Sequence, residues 1–131
     1  MSTAELHALA PALSVRPDAE ACQYVRSEGW PAGVSVMLAQ GRVARIDIDS
    51  TGVRTRDGIG VGDPTSRIPE VYGARAAETP HKYVTGGKYY TVAGPSPTDS
   101  SYRIVFETES GRVTRFRVGR LPEVEWVERC G

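Results

Sequence analysis

The 131-residue chain is poor in the residues that carry metal or covalent chemistry, with two cysteines and two histidines. Neither Cys22 nor Cys130 belongs to a Cys-x-x-Cys pair, and His7 and His81 lie far from both, so no zinc-ligand spacing is present. Net charge is also lacking, because sixteen Lys and Arg balance sixteen Asp and Glu. That balance argues against a dedicated nucleic-acid binder and against a polybasic membrane anchor. No apolar run approaches the roughly 20 residues of a membrane span. Aromatic residues make up only 8% of the chain, against 40% hydrophobic and 24% charged residues in all. With 14 Gly and 9 Pro, this composition is globular and excludes disordered, collagen-like and coiled-coil classes. The length is that of one domain spanning residues 1–131, which buries roughly two-thirds of its unfolded surface and needs no metal to fold.

The cysteines lie at opposite ends of the chain and admit two readings. Joined, they close a loop of about 107 residues, worth about 4 kcal/mol in the chain-entropy model. Such a bridge implies an oxidising compartment, periplasmic or secreted, with an export signal already removed. Otherwise they are unrelated thiols of a cytosolic protein, and neither sits in a motif that marks a nucleophile.

Local patterning predicts alternating helical and extended segments. Ser2 begins a short helix with Leu6, Leu9 and Leu13 on one face. Cys22 to Arg26 reads as a strand. Gly33 to Gln40 and Arg42 to Asp49 alternate apolar and polar residues around Gly41 and read as a hairpin. Asp63 followed by Pro64 predicts a capped helix to Tyr72, with Gly73 as its stop. Lys82 to Val92 is strand-like, and Gly94 to Ser101 is a loop by composition. Tyr102 to Thr108 and Arg112 to Val118 form a second hairpin, and Val124 to Val127 reads as a last strand.

The chain also repeats itself. Gln40-Gly41-Arg42-Val43-Ala44-Arg45-Ile46 aligns with Ser110-Gly111-Arg112-Val113-Thr114-Arg115-Phe116 at an offset of 70. Upstream the offset is 59 for Tyr24-Val25 against Tyr83-Val84, and 58 for Pro11 against Pro69. The change falls across the Gly94–Ser101 loop, where insertion costs little. The pattern predicts a tandem duplication, with repeat one at about residues 2–57 and repeat two at about residues 58–131. The expected fold is α+β: a single antiparallel sheet of six to seven strands with two short helices on one face. Period-2 counting then leaves the other face open. It would carry Met37, Val43, Arg45 and Asp47 from the first hairpin and Val105, Glu107, Val113, Arg115 and Arg117 from the second. Met37, Arg45, Val113, Arg115 and Arg117 are the candidate binding residues of that face.

Ile59-Gly60-Val61-Gly62-Asp63-Pro64-Thr65-Ser66-Arg67-Ile68-Pro69-Glu70-Val71-Tyr72-Gly73 forms a glycine–short helix–glycine unit leading into strands. With the duplicated hairpin, this resembles the β-lactamase inhibitor protein fold and the related domain of outer-membrane assembly lipoproteins. Together with Gly41-Arg42-Val43-Ala44-Arg45-Ile46-Asp47 and the tail Glu125-Trp126-Val127-Glu128-Arg129-Cys130, it is similar to a group of uncharacterised exported bacterial proteins. The resemblance implies a fold and an envelope or extracellular setting. Inhibition of β-lactamase is not implied, because no inhibitory loop matches residue by residue.

Other clusters favour bland readings. Gly58 to Gly62 precedes a helix but lacks Rossmann and Walker spacing, and Asp63 would set a carboxylate where a phosphate belongs, so a turn is expected. Asp47, Asp49, Asp57 and Asp63 lack the calcium-loop spacing and read as solvated strand ends. His81 lacks a nucleophile context and reads as a surface or loop histidine, as does His7. Arg103, Arg112, Arg115, Arg117 and Arg120 make the second hairpin basic, balanced by neighbouring glutamates. Trp30, Trp126, Tyr89, Tyr90 and Tyr102 are core residues or, if exposed, interface anchors.

The expected function is a non-enzymatic, protein-binding or inhibitor-like module without cofactor, metal, nucleic acid or membrane span. A lipid anchor outside the sequence would fit the same setting. The alternatives are a small hydrolase or ligand-binding enzyme using His81, and a purely structural envelope domain that self-associates through a sheet edge.

Overall fold

The computed structural model describes residues 22–26, 29–94 and 101–130 of the chain. Seven strands form one antiparallel sheet: β1 (Cys22–Val25), β2 (Val34–Ala39), β3 (Arg42–Ile48), β4 (Ala76–Pro80), β5 (Lys88–Ala93), β6 (Tyr102–Glu109) and β7 (Arg112–Arg120). Their order is β1-β2-β3-β7-β6-β5-β4, two meanders joined where β3 pairs with β7. Among the described residues one α-helix, α1 (Arg67–Tyr72), runs into the 3-10 turn Gly73–Arg75, and another 3-10 turn spans Glu123–Glu125. The α+β class and the sheet are as the pattern predicts. The helix expected at Ser2 to Leu13 and most of the Gly94–Ser101 loop lie outside the described residues.

The two hairpins share their local geometry. Gln40-Gly41 and Ser110-Gly111 each take positive φ at both central positions, 52° and 75° in the first and 53° and 78° in the second. That is the type I′ turn, whose twist matches the strands it joins, and glycine removes the steric cost at its second position. Each hairpin then slips register at the same place, after Met37 and after Glu107, leaving Ala44 and Thr114 as the extra bulge residues. The bulges correct the period-2 count. Val43 and Val113 do not share a face with Arg45 and Arg115; they turn to the helix side, where Val113 is fully buried in the core.

On the helix side, Ile48, Ile59, Ile68, Tyr72, Val92, Phe106, Val113 and Phe116 form the main core, and Val25, Val36 and Leu38 form a second cluster. The paired residues Val25, Val36, Ile46, Val118, Ile104, Val92 and Ala76 make one apolar row across all seven strands. Burial of Val92, Ile104 and Ala76 in the core with Ile68 and Tyr72 of α1, and of Val25 and Val36 in the second cluster, holds the two ends of the sheet together.

Several local expectations are corrected. Asp63 does not cap α1: its Oδ2 accepts the Gly60 N–H at 3.0 Å and an Arg54 N–H at 2.8 Å, and the helix starts three residues after Pro64. Residues 82–87 are loop, so Tyr83-Val84 is not the strand counterpart of Tyr24-Val25; β5 starts at Lys88. β4, which the pattern missed, is an edge strand whose residues are exposed except Ala76, which packs against the core. Val124 to Val127 is not a strand, since the segment crosses the sheet face instead of joining an edge.

Candidate functional site

Cys22 and Cys130 are joined in a disulfide, with Cα atoms 5.6 Å apart across 108 residues of sequence. This bond has a topological consequence. β7 ends in the middle of the sheet, whereas Cys22 lies on the edge strand β1. Residues 121–130 must therefore cross β3 and β2 to reach it, on the face that Tyr24 and Arg45 share. The face expected to be open is covered.

The covering segment is held by arginines. Arg45 donates from Nη1 to the carbonyls of Glu123 (2.9 Å) and Trp126 (2.6 Å), and from Nε to Asp47 (3.0 Å) and to the Tyr24 hydroxyl (2.8 Å). Arg117 donates from Nε to the Val124 carbonyl at 2.5 Å and from Nη1 to Glu107. The Arg129 guanidinium lies 3.7 Å from the Tyr24 ring centroid, and its Nη2 donates to Ser35 at 3.2 Å. Burial raises the Tyr24 hydroxyl above its ordinary value, with the hydrogen bond from Arg129 opposing. A buried guanidinium is tolerated only when its N–H groups find acceptors, and here carboxylates and chain carbonyls supply them.

Of the candidate binding residues, Met37, Arg45, Val113 and Arg117 are all buried, which removes them from any direct contact; only Arg115 is exposed. They serve the interior because the bulges and the returning C-terminus rearrange the face.

His81 is also corrected. It sits in the loop after β4, yet its side chain is only 8% exposed. Its Nε2 is 2.8 Å from Glu107, its ring stacks on Tyr89 at 4.5 Å, and its Nδ1 accepts the Tyr83 and Val84 N–H groups at 3.0 and 3.1 Å. Two N–H donors on Nδ1 assign the Nε2–H tautomer, which donates to Glu107. Glu107 thus joins His81 to Arg117. The strand alternation set Glu107 on one face with Arg117, but nothing in it pointed to Tyr24 or the acceptor carbonyls as partners. The available signal was the pairing of Arg45 with Asp47, and of Glu107 with Arg115, at same-face positions of central strands.

The glycine turn holds no anion. The N–H groups of Gly58, Gly60 and Gly62 already donate to Thr55 (2.9 Å), Asp63 (3.0 Å) and Val113 (2.8 Å). The Gly60 N–H, and after it Arg54, hold the Asp63 carboxyl below the ordinary carboxylate range. Arg112 and Arg120 are likewise engaged, with the Gly62 carbonyl and with Glu123. No group of three metal-ligating side chains occurs among the described residues. No helix among the described residues is long and apolar enough to cross a membrane.

The helix side carries an accessible apolar surface. Ile46 and Val118, paired in β3 and β7, are 39% and 37% exposed in the middle of the otherwise more buried apolar row. Beside Val118 opens a groove of about 400 Å³ floored by Val92, Ile104 and Val118, with Tyr102 at its mouth. Trp126 and Tyr102 are exposed, whereas Trp30, Tyr89 and Tyr90 are half-buried. No family model, curated protein or solved structure matches the chain.

Proposed function

We propose that the protein is a non-enzymatic, protein-binding, inhibitor-like module of the bacterial envelope or exterior, and that it binds through its helix-side surface. The observation that carries this reading is the exposed pair Ile46–Val118 beside the groove, an apolar surface at the centre of a row whose other members are more buried. The disulfide supports an oxidising compartment. The shared turn, the shared bulge and the offset of 70 support descent of the two hairpins from a tandem duplication. One antiparallel sheet with a helix packed on one face is in keeping with a β-lactamase inhibitor-like fold.

The hydrolase reading finds less support. A general base needs a free ring nitrogen facing a substrate, and both nitrogens of His81 are engaged inside the protein. Self-association through β4 also finds less, since that short edge carries Glu78 and ends on Pro80.

Immobilised oxidised protein and an Ile46→Glu/Val118→Glu variant of equal thermal stability test the reading against bacterial envelope and secreted proteins. A protein retained by the first and lost from the second is the expected result. Retention of nothing by either, or equal retention by both, overturns it.

A further inference from the structure

The groove beside Val118 has a charge pattern that specifies its partner. Its floor is aliphatic, while among the described residues its rim carries Arg56 and Arg75 beside the acid Asp57, with Arg103, itself already engaged, next to Tyr102. Arg75 is held in place there: its Nη2 donates to the Ala93 carbonyl at 2.8 Å and its guanidinium lies 5.8 Å from the Tyr72 ring centroid. Its remaining N–H groups are thus presented from a fixed position, which lowers the entropy lost on binding an anion. The Tyr102 ring, 53% exposed, stands at the mouth as an amphipathic wall.

We infer that this groove takes an aliphatic or aromatic side chain of a protein partner whose neighbouring residue is a carboxylate. The apolar side chain displaces water from Val92, Ile104 and Val118, and the carboxylate meets the arginine rim, where a planar guanidinium offers two parallel N–H donors. A volume of about 400 Å³ suits one large side chain and its flanking backbone rather than a whole helix. The uncharged aliphatic pair Ile46–Val118 continues the contact beyond the groove. The inference rests on the protein-binding reading above and adds the chemistry of the partner.

The test uses the oxidised full chain and three N-acetylated, amidated tetrapeptides, titrated while methyl resonances of Val92, Ile104 and Val118 are followed by NMR. One peptide pairs tryptophan with glutamate, one pairs tryptophan with lysine, and one pairs serine with glutamate. The expected result is a saturable shift of the three residues with the tryptophan–glutamate peptide alone. That shift should weaken about tenfold in an Arg56→Glu/Arg75→Glu variant. It should also weaken several-fold as salt rises from about 0.05 M to about 0.5 M. Arg56→Glu alone, in an exposed turn, keeps the test usable if the double variant misfolds, with a smaller loss expected.

Equal binding of the lysine peptide, or of the serine peptide, overturns the inference. So does tighter binding of free decanoate than of any peptide, which makes the groove a site for lipid-like anions. If a retained envelope protein instead contacts only surface away from the groove, this inference fails while the binding reading stands.

Discussion

Arg45 and Trp126 are separated by 81 residues, yet the Arg45 guanidinium donates to the Trp126 carbonyl at 2.6 Å. This contact, with its partner at Glu123, fastens the C-terminal segment across the sheet. Replacing Arg45 with Met leaves the Glu123 and Trp126 carbonyls without this donor and Asp47 with the Tyr24 hydroxyl in place of two donors. The expected loss is about 3–5 kcal/mol in urea unfolding, with faster amide exchange in residues 123–129. Arg45→Lys should recover part of it, since an ammonium reaches fewer of the four acceptors.

The disulfide and the arginines act on the same segment. Reduction, or Cys22→Ser with Cys130→Ser, is expected to cost about 4 kcal/mol by the entropy of a loop this long. Hydrogen exchange should then rise first in residues 121–130, while the α1 side of the sheet stays protected. Uniform exchange throughout would show that the segment is not separately held.

Gly119 lies where β7 passes the β3 bulge. A Cβ there would clash with the Ala44 carbonyl and the Arg45 Cβ. Gly119→Ala is therefore expected to destabilise by about 3 kcal/mol through forced separation of β3 and β7. A thermal midpoint unchanged by this substitution would contradict the close packing at that crossing.

Asp63 makes stability depend on pH. Its folded carboxyl titrates below the unfolded value, chiefly because the Gly60 N–H binds the ionised form. The stabilisation is thus fully present above the unfolded value of about 4. It is lost as pH falls through the lower folded value. Asp63→Asn should lower stability at pH 7 and flatten the acid limb, so that the two unfolding curves converge at low pH. Curves that stay parallel down to the acid limit would contradict the assignment.

His81 should show the Nε2–H tautomer in long-range ¹⁵N–¹H spectra, with Nδ1 as an acceptor of the Tyr83 and Val84 N–H groups. His81→Ala is expected to cost about 1–3 kcal/mol by leaving Glu107 short of a donor. Exchange should increase in the 82–87 loop that the ring anchors. An Nδ1–H signal instead would contradict the hydrogen-bond arrangement.

Most strands were legible because their cause is local. The alternation of Val34, Val36 and Leu38 and the Gln40-Gly41 and Ser110-Gly111 turns act within a few residues, and they appear as β2, β3, β6 and β7. β4 was not legible, because an edge strand with only Ala76 turned to the core carries no alternation. The candidate residues Met37, Arg45, Val113 and Arg117 were assigned to an open face by counting in twos. One bulge residue in each hairpin breaks that count for Val43 and Val113, and nothing in the composition of Ala44 or Thr114 announces it, whereas Met37, Arg45 and Arg117 keep the counted face and are buried on it.

By itself, the chain's order of residues determined an antiparallel sheet built on two like hairpins, and the pairing of Cys22 with Cys130 as one of two readings. Tertiary structure decided what those features do. The joined cysteines draw the C-terminus across the sheet, so Arg45 and Arg117 become internal fasteners and the accessible surface moves to Ile46, Val118 and their groove. The physical reason is range. Turn and strand preferences arise within a few residues, whereas burial of a charge depends on which distant carbonyl is brought to meet it.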